Sequence, residues 1–490
     1  MNKDLNLKLI IRVLGGLTMI QTFFLLLPTI VAIVYKEYNI IHYYLIAAGI
    51  SFVLGLGGYL YGRDVKPEMG RREGAIIVTL VWLFYTLLGT LPFWMSGSIP
   101  RFTDAFFETL SGFTTTGTTI LDNIESLPYN ILFWRSMTHW IGGLGIVVIF
   151  LAILPVLGGG GFQLFSSETT TPTKEKFMPK ISQTAVIMFS VYISLTVLIV
   201  ISLRVAGMNW FDAVNHGLSI ISTGGFSTKQ ASIAFWNSSV IEYVIIVFMF
   251  LSGVNFILFY LLVTGRFDKI LKNDELKYYV GALCISTLII LLSHIDFNSG
   301  LTWTSFEQSF RSSLFITTSC ITSAGLSTED YTLWSPYTWI VLLILMISGA
   351  SSYSTSGGIK MVRVAIILKM CYNEFKRLVH PNAVIIVRYE GKAMKDDAII
   401  RVVAFVMIYL LIIVVGSFIL GISGLGFEES LSGMITCMSD VGLGLGQLGP
   451  SHSFSDIPTF SKWFLAFIML VGRLELYSVL LLFTPHFWKE

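Results

Sequence analysis

The sequence predicts an all-α integral membrane protein: four parallel helix–pore loop–helix repeats around a central pore, plus two N-terminal transmembrane helices. Three observations carry this: the composition, a series of apolar runs long enough to cross lipid, and one cluster of Thr, Ser and Gly that recurs four times. Of 490 residues, 54% are hydrophobic and 13% charged, against about 25% charged in soluble domains. Disorder requires low hydrophobicity and a nucleic-acid binder a strongly basic surface; a net charge of +2 on so apolar a chain fits neither. Cys284, Cys320, Cys371 and Cys437 show no C-x-x-C spacing, so neither a disulfide framework nor a zinc site is indicated.

Crossing about 30 Å of hydrocarbon takes about 20 apolar residues in helical form, and inside lipid only helices or closed barrels satisfy every backbone group. Runs of that kind lie at residues 10–35, 40–62, 73–96, 130–157, 182–206, 239–265, 278–295, 334–366, 399–421 and 459–485. The first follows Lys3, Lys8 and Arg12 as a signal peptide would, but its apolar stretch is too long and no small-residue cleavage site follows. It reads as an uncleaved anchor. Ten crossings put both termini on one side, and 24 of the 32 Lys and Arg fall in the loops of that side. Basic loops are cytoplasmic, so both termini are expected in the cytoplasm.

On the outer side, four apolar segments too short to span each end in a Thr, Ser and Gly cluster. Their glycines, Gly117, Gly225, Gly325 and Gly442, are 108, 100 and 117 residues apart, a period that signals repeated architecture. Each unit crosses twice and returns the chain to the same side, so the repeats are parallel rather than inverted. The expected division is an N-terminal pair (1–66), repeats at 67–165, 166–272 and 273–370, a basic cytoplasmic linker (371–397) and a fourth repeat (398–490). Read singly, each cluster is also compatible with an extracellular turn. Four in register fit irregular backbone lining one watery axis, a place where the membrane tolerates it.

A cation leaving water needs its hydration oxygens replaced, and backbone carbonyls do this without fixed charge. Glycine reaches φ > 0, so several carbonyls of one strand can aim at the same axis. The short helix before each cluster points its partially negative C-terminal end there. The candidate ion-binding ring is Thr114, Thr115, Thr116 and Gly117; Ser222, Thr223, Gly224 and Gly225; Thr322, Ser323, Ala324 and Gly325; and Ser439, Asp440, Val441 and Gly442. With one carboxylate among sixteen residues, it suits a weakly hydrated monovalent cation.

Within 334–366, Gly349, Ala350, Ser351, Ser352, Ser354, Thr355, Ser356, Gly357 and Gly358 interrupt the apolar run. Each Gly costs about 1 kcal/mol in a helix relative to Ala, which favours an unwound loop beneath the ring; close helix packing by small residues is the alternative. Arg473 falls near the middle of 459–485, too far from either end to snorkel, and is expected either as an electrostatic barrier or in a structural ion pair. The basic segment from Lys369 to Lys395 reads as a partner-docking surface or simply as positive-inside topology. The run Gly158–Gly161 reads as a flexible helix end and linker.

With these motifs in order, the chain resembles the Trk/Ktr/HKT superfamily of potassium transporters, of the TrkH type, over nearly its whole length. Ser111-Gly112-Phe113-Thr114-Thr115-Thr116-Gly117, Ser222-Thr223-Gly224-Gly225-Phe226-Ser227-Thr228, Asp440-Val441-Gly442 with Gly444, and Gly472-Arg473-Leu474-Glu475 carry the likeness. The resemblance implies K+ as the permeant ion, with no organic cofactor on this chain, and uptake through a channel-like pore in the bacterial inner membrane. It also implies a homodimer and a cytosolic nucleotide-binding regulatory ring of the TrkA type. Two departures are Ser323-Ala324, where many relatives carry threonines, and Asp440, where Asn is common. Gly at all four key positions resembles the potassium-selective members; Ser at one of them is associated with sodium permeation in related plant proteins.

An enzyme is not expected. The seven His show no H-E-x-x-H spacing, and Gly444-Leu445-Gly446-Gln447-Leu448-Gly449 matches G-x-G-x-x-G without a strand and helix around it. Gly421-Ile422-Ser423-Gly424 is too short a match to an intramembrane serine-protease motif to carry weight. A sodium- or proton-coupled potassium symporter is the functional alternative, although such transporters commonly use inverted repeats and midplane ionisable groups.

Overall fold

The chain is seen in a computed structural model that describes residues 5–65, 69–143, 145, 181–294 and 302–489. The glycine run 158–161 lies outside them.

Helices α1 (Leu7–Val34) and α2 (Tyr38–Tyr61) form a hairpin ahead of the repeats. They cross closely because glycines meet: a Cβ on Gly15 would lie 2.6 Å from the Gly55 carbonyl, and small residues are what let backbones approach in lipid. Asn6 caps α1 by accepting the Leu9 N–H at 3.2 Å. The hairpin is keyed to the first unit by polar contacts: Gln21 donates to the Tyr85 carbonyl at 2.8 Å, and the Tyr85 hydroxyl to that of Leu17 at 2.7 Å.

Four units follow. The first is α3 (Arg71–Met95), α4 (Phe102–Thr114) and α5 (Tyr129–Gly143). The second is α6 (Ile181–Val205), α7 (Trp210–Ile221), α8 (Ser239–Gly253) and α9 (Phe256–Val263). The third is α10 (Asp274–His294), α11 (Trp303–Ile321), α12 (Pro336–Ser348) and α13 (Met361–Val379). The fourth is α14 (Asp396–Ile422), α15 (Phe427–Ser439), α16 (Thr459–Arg473) and α17 (Tyr477–Leu480). Local signals set the ends. Glu37 accepts the first N–H groups of α5, from Tyr129 and Asn130 at 2.8 and 3.0 Å, an anion where the helix dipole is positive. Asn209 caps α7 through the Asp212 N–H at 2.8 Å.

Among the described residues six helices are long and apolar enough to cross a membrane, and eight spans result if each bent pair counts once. Two runs read as straight crossings are broken. Residues 239–265 bend by 95° between α8 and α9, where Asn255 starts a new helix by accepting the Ile257 N–H at 3.0 Å. Residues 459–485 bend by 113° after Arg473, where Glu475 and Leu476 take φ of 51° and 60°. Arg473 therefore ends a helix rather than occupying the middle of one. The expected boundary at residue 370 falls inside α13, which runs on to Val379.

The basic segment holds one departure from an all-α chain: β1 (Arg388–Tyr389) pairs antiparallel with β2 (Lys392–Ala393). This hairpin sits on the start of α10, with the Glu390 N–H donating to Asp274 at 2.9 Å and Lys369 paired to the same carboxylate at 2.5 Å.

Candidate functional site: a carbonyl ring and the loop beneath it

The short helices α4, α7, α11 and α15 are nearly wholly buried towards their C-termini, and each runs into one of the four clusters. There the backbone repeats itself. Thr115, Thr223, Ser323 and Asp440 have φ of 57°, 54°, 56° and 53°; two residues later Gly117, Gly225, Gly325 and Gly442 have φ of 82°, 87°, 64° and 91°. Left-handed residues in alternation turn successive carbonyls to one side, where an ordinary strand would alternate them. Each strand is tied to its own helix by the same bond: Thr116 N–H to Ser111, Gly224 to Ser219, Ala324 to Ser319 and Val441 to Thr436, at 2.8–3.0 Å.

The glycines close the four strands into a ring. A Cβ on Gly117 would collide with the Gly224 carbonyl oxygen, one on Gly225 would lie 2.7 Å from that of Ala324, one on Gly325 would collide with that of Val441, and one on Gly442 with that of Thr116. Units one to four thus follow one another in chain order around a single axis. In each predicted quartet the glycine alone is half-buried and the three residues before it are buried.

Glycines of one unit, at the end of α5, at the end of α8 and in the segment after α12, pack against the C-terminal end of the next unit's short helix. Cβ atoms on Gly143 and Gly253 would lie 2.6 and 2.8 Å from the side chains of Ser222 and Thr322, and one on Gly357 would collide with the Ser439 carbonyl. Behind the second strand, Phe226 lies between the Arg135 guanidinium, 3.6 Å from its centroid, and the His139 ring, stacked at 3.9 Å. Arg135 pairs with buried Glu108 at 2.6 Å and donates to the Ser227 carbonyl at 2.8 Å; Glu108 also accepts the Ile120 N–H at 2.9 Å. This network joins the outer ends of strands one and two. Sequence reading passed over Glu108 and Arg135, although two opposite charges inside apolar segments were the available sign.

The segment between α12 and α13 is a loop, as its Gly and Ser content predicts, and it folds under the ring. Ile359 N–H donates to Ile347 and Met361 N–H to Ala350, each at 2.9 Å, so the loop closes on itself. Ser351 donates to Gly253, and Phe256 to Tyr353, at 3.0 and 3.2 Å, tying it to the α8–α9 break. The Ser352 N–H donates to buried Glu275 at 2.6 Å. Ser354 bridges the Ser351 carbonyl and Ser356 hydroxyl at 2.5 and 3.0 Å, while Ser356 accepts the Ala350 N–H at 3.3 Å. Gly349 and Gly358 supply left-handed corners with φ of 65° and 77°. Gly357 reaches the ring itself, its N–H donating to Ser323 Oγ at 2.7 Å.

Arg473 closes the assembly from the other side. Its guanidinium donates to Thr355 at 3.0 Å and to the Gly142 and Gly143 carbonyls at 2.6 and 2.9 Å, joining α16, the loop and α5. Glu475 pairs with Arg363 at 2.5 Å. The G-x-G-x-x-G run at 444–449 contains a three-residue 3-10 turn, Gly446–Leu448, without the strand and helix a dinucleotide site requires. Among the described residues no group of three or more His, Cys, Asp or Glu could hold a metal ion.

Comparison with known proteins agrees with this geometry. The family model described as TrkH, cation transport protein, matches residues 43–308 and 283–490. The Trk system potassium uptake protein TrkH of Salmonella typhimurium is 36% identical, covering 99% of this chain and 100% of that protein. The Trk system potassium uptake protein TrkG of Escherichia coli is 34% identical with 99% of each covered. The crystal structure of the potassium transporter TrkH from Vibrio parahaemolyticus superposes with a TM-score of 0.87 at 32% identity, over 99% of this chain and 100% of that one. A fourfold ring of glycine strands in an all-α membrane protein, matched along its full length by these relatives, places the chain in the TrkH family of cation transport proteins.

Proposed function

We propose that the chain takes up potassium across the bacterial cytoplasmic membrane through a channel-like path whose selectivity filter is the carbonyl ring. The observation that carries this reading is the cyclic succession of glycines, each set against the next strand's carbonyl oxygen. Carbonyls so arranged replace a hydration shell, and four helix C-termini add negative potential without fixed charge. The names of the relatives support potassium as the permeant ion, with no organic cofactor on this chain. The units at 67–165, 166–272, 273–370 and 398–490 each contribute one quarter of the filter. The loop at 349–358, held by Arg473, obstructs the path on the side of the chain termini, which are cytoplasmic. Its release belongs to a cytosolic nucleotide-binding ring of the TrkA type acting on a homodimer.

The test is ion flux in proteoliposomes containing the purified chain, with potassium, rubidium, sodium and lithium gradients compared and Gly225→Ser measured in parallel. Potassium and rubidium flux without a sodium or proton requirement, and lost selectivity in the variant, are expected. Flux that needs a coupling gradient makes the protein a symporter, and unchanged selectivity in the variant removes Gly225 from the filter.

A further inference from the structure

The four corners of the ring are not held alike at their outer ends. Between units two and three the Ile233 N–H donates to the Ser327 carbonyl at 3.2 Å, and between units four and one the Phe454 N–H donates to that of Thr119 at 2.8 Å. Between units three and four the Tyr331 hydroxyl donates to the Gly444 carbonyl at 2.5 Å. These ties are neutral. At the corner of units one and two a buried ion pair stands instead: Glu108 holds the first strand through the Ile120 N–H, and Arg135 holds the second through the Ser227 carbonyl. The position after the ring glycine singles out the same corner, being Thr118, Leu326 and Leu443 in three strands and Phe226 in the second.

The Phe226 ring is buried between the Arg135 guanidinium at 3.6 Å and the His139 imidazole at 3.9 Å. His139 in turn shares a hydrogen bond with Ser219 Oγ at 3.2 Å, and it fills the space beside Gly224, where a Cβ would collide with its ring. The second strand is thus gripped from behind at Gly224, Phe226 and Ser227, on both sides of the ring glycine Gly225. Hydrogen bonds between ionised partners are about twice as strong as neutral ones, and a guanidinium adds a planar face that stacks on an aromatic ring. This corner therefore resists displacement more than a neutral tie does. The selectivity of a carbonyl ring depends on its cavity size and on the field of its carbonyls, and both change when one strand shifts relative to the axis.

We infer that Arg135, Phe226 and His139, with Glu108, are positioning residues that set the ion preference of the ring. They hold the Gly224 and Gly225 carbonyls at the spacing of a potassium-sized cation and keep them from closing onto a smaller one. They act through the strand rather than on the ion. The inference rests on the reading of the ring as the ion path, and it assigns the largest share of discrimination against sodium to the corner of units one and two.

The test is the ratio of rubidium to sodium flux in proteoliposomes containing the purified chain, with the unfolding temperature in detergent measured beside it. Phe226→Leu installs the residue that the third and fourth strands carry, and it is expected to lower the ratio by roughly tenfold, equivalent to about 1.4 kcal/mol. Glu108→Leu with Arg135→Met, which removes both charges, is expected to lower it to a similar extent. Arg135→Lys keeps the charge without the planar fork and is expected to fall between this pair and the parent. Tyr331→Phe removes the neutral tie at the corner of units three and four and is expected to leave the ratio within about twofold. Lower unfolding temperatures with every ratio at the parent value would mean a merely structural role and overturn the inference, as would an equal loss of selectivity in Tyr331→Phe. A parent chain that does not itself prefer rubidium to sodium overturns the reading of the ring as the filter, and the inference with it. A readout that needs no flux is the excess of rubidium over sodium in raising the unfolding temperature of the detergent-solubilised chain. That excess is expected in the parent and reduced in Phe226→Leu and in the double variant; an excess undiminished in both also overturns the inference.

Discussion

Ser323 Oγ accepts the backbone N–H of Gly357 at 2.7 Å, so the third strand of the ring is bonded directly to the loop beneath it. A single buried hydrogen bond contributes about 0.5–1.5 kcal/mol net, which is roughly a two- to tenfold shift in a two-state equilibrium. Ser323→Ala is expected to raise rubidium flux through the purified chain by that factor at equal incorporation into liposomes. Unchanged or lower flux would show that this bond does not hold the loop closed.

The four glycines are not equally crowded. At Gly225 an added Cβ would lie 2.7 Å from the neighbouring carbonyl oxygen, and at Gly117, Gly325 and Gly442 it would come closer. Alanine at positive φ alone costs about 1–2 kcal/mol. Gly225→Ala is therefore expected to lose the least thermal stability in detergent and Gly117→Ala and Gly325→Ala the most. An inverted order would contradict the ring geometry.

Glu108 and Arg135 are a fully buried pair at 2.6 Å. Removing one member strands the other's charge, at a cost of about 3–5 kcal/mol, whereas replacing both by apolar residues of similar volume is often tolerated. Arg135→Met is expected to lower the unfolding temperature sharply, and Glu108→Leu with Arg135→Met to recover much of it. Additive losses in the double variant would argue against coupling.

Two acidic side chains in the loop after the third strand give a pH dependence with a defined sign. His294, with Nε2 at 3.6 Å, holds the Glu329 carboxyl below its ordinary range against the effect of burial. Burial opposes ionisation of Asp330, but donors at Thr332 and Ser451 outweigh it and lower its pKa as well. A depressed pKa contributes stability above the unfolded value and loses it as pH falls through the folded one. Stability is thus expected to fall on acidification from about pH 5 to about pH 3, and Asp330→Asn to flatten that fall. The unfolding temperature across this range, in parent and variant, is the measurement.

The ring and the loop were legible because both put Gly, Ser and Thr where lipid favours apolar helix, the ring at four regularly spaced positions and the loop in one dense run. Thr115 and Asp440 follow from the same pattern once the glycines are aligned. The bends after Gly253 and Arg473 were not legible, since the apolar run continues through each, and hydropathy measures length rather than direction. Glu108 and Arg135 stood out singly as charges in apolar segments, but 27 positions separate them, and only the packing of α4 against α5 within the first unit brings them together. The hairpin at 388–393 is two residues per strand, below what alternation can reveal.

Because one chain supplies all four strands in order around the axis, a single substitution changes one corner and leaves three intact. A homotetramer would carry every such change four times over. On the proposed reading of the ring as the ion path, that path can be altered by quarters, so ion preference would be open to gradual adjustment where a symmetric assembly would pass only between extremes. Three corners with hydroxyls and one with the Asp440 carboxylate already represent such an intermediate form.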